Sequence, residues 1–319
     1  MKPTAKPRPA PAQKNNPHSL KINYIVMSDI ISSRSELLFL YDCKMCNPNG
    51  DPLDANKPRI DEGSGECLVT DVRLKRTVRD YLMENGHDGS DPDKDIFIRD
   101  EDGKPVTGEQ RSKSYKDKEE FIGKFIDVRL FGGVSAPKAK AKVFNLTGPV
   151  QFGMGRSLHR VNVNFIKGTG AFASSEGAQQ RTFREEYNIT YGLIGFHGVI
   201  NENAARHTQL TEDDVQRLLT AMWDGTKGLL SRSKKGHMPR LLLKIDYKEP
   251  QFFIGDLLER LDMEYDQGVK PDAITDVEDY TLNTGRLNAL LEKYEEKIDN
   301  IFVQQDDRLR LSAPIFQPK

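Results

Sequence analysis

The chain has 319 residues and is poor in several features that would narrow its class at once. It has three cysteines, Cys43, Cys46 and Cys67. That is too few for a disulfide framework at this length and predicts a reducing, cytoplasmic compartment. No apolar run approaches a membrane span, so no membrane partner is expected. Residues 1–20 are rich in Pro, Lys and Asn and lack the apolar stretch of a secretory signal. The Gly-rich turns match neither a P-loop nor a dinucleotide fingerprint, and no cofactor is expected. Net charge is almost absent, −1 at pH 7.

That balance hides two opposed regions. From Arg129 to Arg184 there are nine Lys/Arg and one acid, Glu176; from Gly255 to Asp307 there are fifteen Asp/Glu and five Lys/Arg. A concentrated positive segment is the electrostatic footprint expected for a phosphate backbone. Hydrophobic residues make up 37% and charged residues 30%, enough for a core in a rather polar globular chain.

The most informative stretch runs from Cys46 to Leu82. Asn47-Pro48-Asn49-Gly50-Asp51-Pro52 is turn chemistry throughout, so regular structure cannot pass through it. Thr70-Asp71 then reads as a helix start, a hydroxyl N-cap followed by a first-turn carboxylate. Leu74, Val78, Tyr81 and Leu82 recur at helical spacing as a buried stripe, which leaves Arg73, Lys75, Arg76 and Arg79 for the surface. A helix N-terminus with unpaired N–H groups, followed by full positive charges, suits polyphosphate. The plainer reading is a solvated charged face.

Elsewhere the chain reads as α+β. Residues 1–33 are expected to be a disordered tail. Glu36–Tyr41 is a buried strand. Asn85–Glu120 is an acidic insertion broken by Gly and Pro. Lys138, Lys140 and Lys142 alternate with alanine and share one face if extended. Gly148–Ser157 is a short strand ending in a Gly-rich turn that carries Arg156 and Ser157. Arg160–Ile166 and Arg181–Tyr191 make a long hairpin around small residues. Tyr191–Ile200 is a core strand, and Thr211 caps a helix with Val215, Leu218, Leu219 and Met222 inward. Ser231–Gly236 is a second basic turn, a strand follows at Leu241–Tyr247, and Leu287–Ile298 reads as a last helix. These units predict an α+β domain around an antiparallel sheet.

CNPNGDP, PRID, VTDVRLKRTVRDYL, DVRLFGG, TGPVQF and the Arg232–Gly236 turn, in this order, resemble the backbone subunit of type I CRISPR Cascade complexes (the Cas-seven family), closest to type I-B with type I-C next. The resemblance covers about Ser35 to Tyr247. It implies a modified RNA-recognition-motif (ferredoxin-like) palm, a fingers insertion near 85–120 and a thumb β-hairpin near 162–185. The acidic region 255–319 is outside the resemblance and is expected to be helical and to pack on the palm. Family members polymerise along CRISPR RNA, grip its backbone, and present its bases to the target DNA strand beside other Cascade subunits. The implied guide-facing residues are Asn47, Asn49, Lys57 and Arg59 from the loop, and Thr70, Arg73, Lys75, Arg76 and Arg79 from the helix. The basic segment adds Arg129, Lys138, Lys140, Arg156, Ser157, Lys167 and Arg181; the second basic turn adds Arg232, Ser233, Lys234 and Lys235. A guide scaffold must hold sugar-phosphate and leave base edges free. The aromatic motif on which RNA-recognition sheets stack specific bases is absent.

Two chemical alternatives are open to these residues. Asp42, Asp51, Asp54 and Asp61 crowd the first loop, and relatives in type III complexes cut RNA with an aspartate there, so a metal-dependent endonuclease is the second reading. Turns also favour Asp for conformational reasons, and no catalytic residue is expected. Cys43-x-x-Cys46 with Cys67 has no fourth ligand at a suitable spacing, His87 being too distant in sequence, so no metal site is expected.

Overall fold

The computed structural model describes residues 29–319 except 102, 113–114, 116, 136–143 and 174–180. Four strands come first, β1 (Ser35–Cys46), β2 (Gly50–Asp51), β3 (Lys57–Ile60) and β4 (Glu66–Val69), followed by α1 (Asp71–Glu84). Three short helices follow, α2 (Gly108–Ser112), α3 (Lys118–Lys124) and α4 (Ile126–Phe131). Then come β5 (Gly132–Ser135), β6 (Phe144–Thr147), β7 (Val150–Phe152), β8 (Gly155–Arg160), β9 (Val163–Ala173) and β10 (Arg181–Ile200). Helices α5 (Glu202–Thr208) and α6 (Glu212–Lys227) lead to β11 (His237–Tyr247). The C-terminal region holds β12 (Asp262–Tyr265), β13 (Tyr280–Asn283), α7 (Gly285–Lys293) and β14 (Ile298–Gln305). No helix among the described residues is long and apolar enough to cross a membrane.

The main sheet runs β14-β11-β1-β10-β8-β4-β3-β2, with β7 and β9 also pairing β10. Its ladders are antiparallel. Strand β1 is apolar almost throughout because both of its faces are covered. Alternation sends Leu37, Phe39 and Tyr41 to the core containing α1 and α6, and Leu38 and Leu40 to the opposite core. Each such side chain contributes roughly 1.5–3 kcal/mol of burial.

The helix starts form where the sequence predicts. Thr70 caps α1, its hydroxyl accepting from the Arg73 N–H. Thr211 and Asp214 form a capping box on α6. The stripes Leu74/Val78/Leu82 and Val215/Leu218/Leu219/Met222 meet in the first core. Phe97, Phe121, Ile122, Phe125, Val128 and Leu146 form a satellite core under the 85–131 insertion.

The structure corrects several boundaries. Ile31 is buried and its N–H donates to Leu210 O, so the chain is packed before residue 33. The last helix ends at Lys293, and Ile298 opens β14. Pairing with the free edge of β11, Tyr247 against Ile298 through Leu241 against Gln305, overrides the helical spacing there. The acidic region is therefore mixed in structure, and its Leu257, Tyr280, Leu287, Ile298 and Ile315 seal the second face of the sheet.

Candidate nucleic-acid interface

The end of β1 is where the separate basic motifs meet. Asn47 leaves the strand and is buried; its N–H donates to Ser233 O, and its side-chain amide donates to Asn56 O and Tyr187 O. Its Oδ1 is buried without a hydrogen-bond partner. Asn49 Oδ1 accepts from both the N–H and the hydroxyl of Thr70, tying the loop to the start of α1. Lys234 Nζ reaches back to Asn47 O (2.5 Å) and Pro48 O (2.8 Å). At Gly236 φ is +154°, and a Cβ there would stand 2.4 Å from Lys44 O, so only glycine lets the second turn close onto β1. First loop, helix start, second basic turn and the base of the β9–β10 hairpin thus form one hydrogen-bonded unit.

The predicted cations fall into two groups. Several are held within the fold. Arg79 is 7% exposed, pairs with Asp127 (2.9 Å) and lies over the Phe131 ring, which corrects its surface placement. Arg129 grips Asp214 through two nitrogens at 2.8 and 2.9 Å. Ser157 is fully buried, accepting from the Cys67 N–H and donating to His159 O. Lys75 pairs with Asp71, Arg76 with Asp80, Lys57 with Asp54 and Arg59 with Asp51. Arg156 reaches Glu66 and Glu259, Arg232 reaches Glu186, and Lys167 lies 3.5 Å from Glu185.

Three of the predicted cations have no ion pair among the described residues: Arg73, Lys234 and Lys235. Arg73 makes one side-chain hydrogen bond, Nη2 to Thr77 Oγ1 (3.0 Å). Burial holds its guanidinium below the ordinary arginine value. Burial, and then the nearby Arg73 charge, bring Lys234 down to about 8. Two nearby positive charges without an ion pair are held at an energetic cost that an anion would relieve. Lys138 and Lys140 lie outside the described residues, as does the side chain of Arg181.

Next to this cluster is a cleft of about 630 Å³ lined by Asp51, Asp54, Lys57, Pro58, Arg59, Ile60, Glu62, Leu68, Thr70, Met154 and Val163. At the hairpin base the Phe165 and Tyr187 rings lie 4.7 Å apart, with Lys167 over Phe165 (5.2 Å) and Lys57 over Tyr187 (5.5 Å). Phe165 is 45% exposed. The rings of this aromatic–cation ladder lie outside the residues expected from the sequence; the alternation in VNVNFIK, which puts Phe165 on one face and Ile166 on the other, is its signal.

The four loop aspartates do not converge. Asp42 is buried against Arg240 (2.7 Å) and the Tyr191 hydroxyl (3.1 Å). Asp51 and Asp54 hold Arg59 and Lys57, and Asp61 accepts from the Ser64 N–H and hydroxyl. The one grouping of potential metal ligands among the described residues is Cys43, Cys46 and His237. Burial pushes the Cys43 thiol up. The hydrogen bond with Cys43, and then His237 and Lys234, hold Cys46 below the usual thiol value. Cys67 stays apart, and burial pushes it up to about 12.

Comparison with known proteins shows the family and the fold. The family model described as CRISPR-associated protein Cas7 matches residues 33–285. A protein of Haloferax volcanii named CRISPR-associated protein Cas7 is 33% identical over 314 residues, spanning 88% of each chain. Among solved structures, a chain of a CRISPR RNA-guided surveillance complex has a similar fold, with a TM-score of 0.52 at 13% identity; the match covers 88% of this chain and 95% of that one. The motifs of the first loop, the helix start and the second basic turn therefore belong to a family match that covers most of the chain, and the chain is a member of the Cas7 family of CRISPR-associated proteins.

Proposed function

We propose that the protein is a non-catalytic backbone subunit of a type I CRISPR Cascade effector complex, of type I-B character. In this reading it polymerises along CRISPR RNA beside other Cascade subunits and presents the guide bases to a target DNA strand. The palm is the unit β1-α1-β8-β10-α6-β11. Its strand order β11-β1-β10-β8, with α1 and α6 in one core, supports a ferredoxin-like arrangement. Residues 85–120 are the fingers, 162–185 the thumb, and 255–319 a cover on the palm.

One observation carries the reading: Arg73 and Lys234, from separate motifs, both adjoin Pro48 with no ion pair among the described residues, where loop, helix start and hairpin base join. Cations placed this way hold phosphate without reading sequence. Arg73, Lys234 and Lys235 are the primary contacts. Asn47, Asn49 and Thr70 position them, and Lys57, Arg59, Lys75, Arg76, Arg156, Lys167 and Arg232 line the path as paired charges that phosphate can re-engage. Each aspartate of the endonuclease reading already has a cation, hydroxyl or turn amide as partner, so that reading is not favoured.

The test is purification with co-expressed CRISPR RNA, followed by sizing of the particle and its RNA. A discrete RNA covered by many copies is expected. The Arg73→Gln, Lys234→Gln double variant should remain folded, weaken RNA binding at least tenfold, and reduce the log–log salt slope by about 1.4, the value for two lost contacts on a single strand. Unchanged affinity and slope would remove both residues from the site.

A further inference from the structure

The Cys43–Cys46–His237 group plays no part in the proposed grip on RNA, and its geometry has chemistry of its own. Cys43 and Cys46 end β1, and His237 opens β11, with Cys43 and His237 facing each other in the ladder. Positions i and i+3 of a regular strand point to opposite faces. Met45 between them adopts φ +50°, a left-handed conformation uncommon for a side chain of this kind, and both thiols end up on one side. The two Sγ atoms are 2.9 Å apart, Cys46 Sγ is 3.6 Å from His237 Nδ1, and the three ligand atoms all lie within 4.8 Å of one another, buried.

We infer that Cys43, Cys46 and His237 form a Zn²⁺ site that fastens the first loop to the second basic turn. Two thiolates and an imidazole are a soft S₂N donor set, which selects zinc over the hard cations. With Zn–S near 2.3 Å and Zn–N near 2.0–2.1 Å, tetrahedral ligands stand about 3.5–3.8 Å apart. The Cys46–His237 spacing already fits, and the thiols need to open by under about 1 Å to fit as well. Binding leaves both sulfurs as thiolates, and any thiol proton still present goes to solvent. His237 gives up the 2.6 Å hydrogen bond from Nδ1 to Lys234 O, its proton moves to Nε2, and Nδ1 turns its lone pair to the ion. Two thiolates balance the divalent charge, so the occupied site carries no net charge beside Lys234. Water would take the fourth position. Asn47 follows Cys46 directly, and Gly236 precedes His237, so the ion would cross-link the bases of both loops.

The site is read by metal content, independently of RNA affinity, so its failure and that of the proposed function are distinguishable. The full chain, purified under reducing conditions without chelator, should carry about one zinc per chain by elemental analysis. After stripping, Co²⁺ should give a thiolate-to-cobalt charge-transfer band and tetrahedral d–d bands, both bleached by equimolar Zn²⁺. Cys43→Ser, Cys46→Ser should lose the metal and the bands, and Cys67→Ser should keep both. Zinc at trace level, cobalt spectra without a thiolate band, or metal retained in the double variant would overturn the site. So would two of the three thiols resisting alkylation until reduced, because that marks a Cys43–Cys46 disulfide.

Discussion

At the residue scale, the availability of a basic side chain here depends on whether a carboxylate is within reach. Arg79 and Arg73 lie on the same helix and differ in this respect: Asp127 draws one inward, and among the described residues the other has no ion pair. Breaking the buried Arg79–Asp127 pair by Asp127→Ala should cost about 3–5 kcal/mol, because an uncompensated guanidinium is left inside. The urea midpoint reads this, and a change under about 1 kcal/mol would mean that Arg79 escapes to solvent.

His159 gives the pH dependence. Its Nδ1 donates to Arg160 O, and its Nε2 accepts from the Leu193 N–H, so the folded site fits the neutral ring. Burial holds its pKa below the usual 6.5. The unfolded chain therefore takes up the proton first, and stability should fall as pH drops below 6.5. His87, also lowered by burial, acts in the same direction. His159→Asn should flatten the dependence of urea midpoint on pH between 7.5 and 5.5, and an unchanged slope would exclude His159 as a contributor.

At the scale of elements, close contact sets the chemistry of β10. A Cβ on Gly195 would lie 2.3 Å from Leu258 of the C-terminal cover and 3.0 Å from both Leu158 and Leu40. Gly195→Ala should destabilise the protein by about 1–3 kcal/mol through overpacking. The thermal midpoint measures this, and limited proteolysis should show the cover loosening first. The join between the first loop and α1 is equally specific. Asn49→Ala removes the acceptor for the Thr70 N–H and hydroxyl and should cost about 1–2 kcal/mol. RNA affinity should fall with it if the loop positions Arg73; a full stability loss with unchanged affinity would separate the loop from the interface.

At the scale of the whole molecule, part of the acidic region's charge is met within the chain: Asp276 pairs with Lys44 and Arg308, Glu259 with Arg156, Asp306 with Arg240, and Asp266 with Arg310. The region packs on the sheet as a cover. Asp276→Asn should therefore lower stability by about 1 kcal/mol and leave the salt slope of RNA binding unchanged. A steeper slope would show that the segment shields the RNA path.

The sequence by itself determined what depends on local chemistry. The Thr70 and Thr211 caps, the apolar stripes of α1 and α6, and the pairing of β9 with β10 were legible because each signal lies within a few residues of its effect; the turn reading of 47–52 was not complete, because Gly50–Asp51 pairs with β3 as the short edge strand β2. Motif order was legible too, and with it the family. The tertiary structure decided what depends on distant partners. It placed Asp127 beside Arg79 and Asp214 beside Arg129, brought His237 to Cys46 across 191 residues, and made a strand of the segment after α7. A side chain's type states what it can bind. Which cations remain for phosphate depends on which acids the fold brings within about 4 Å, and spacing along the chain does not carry that information.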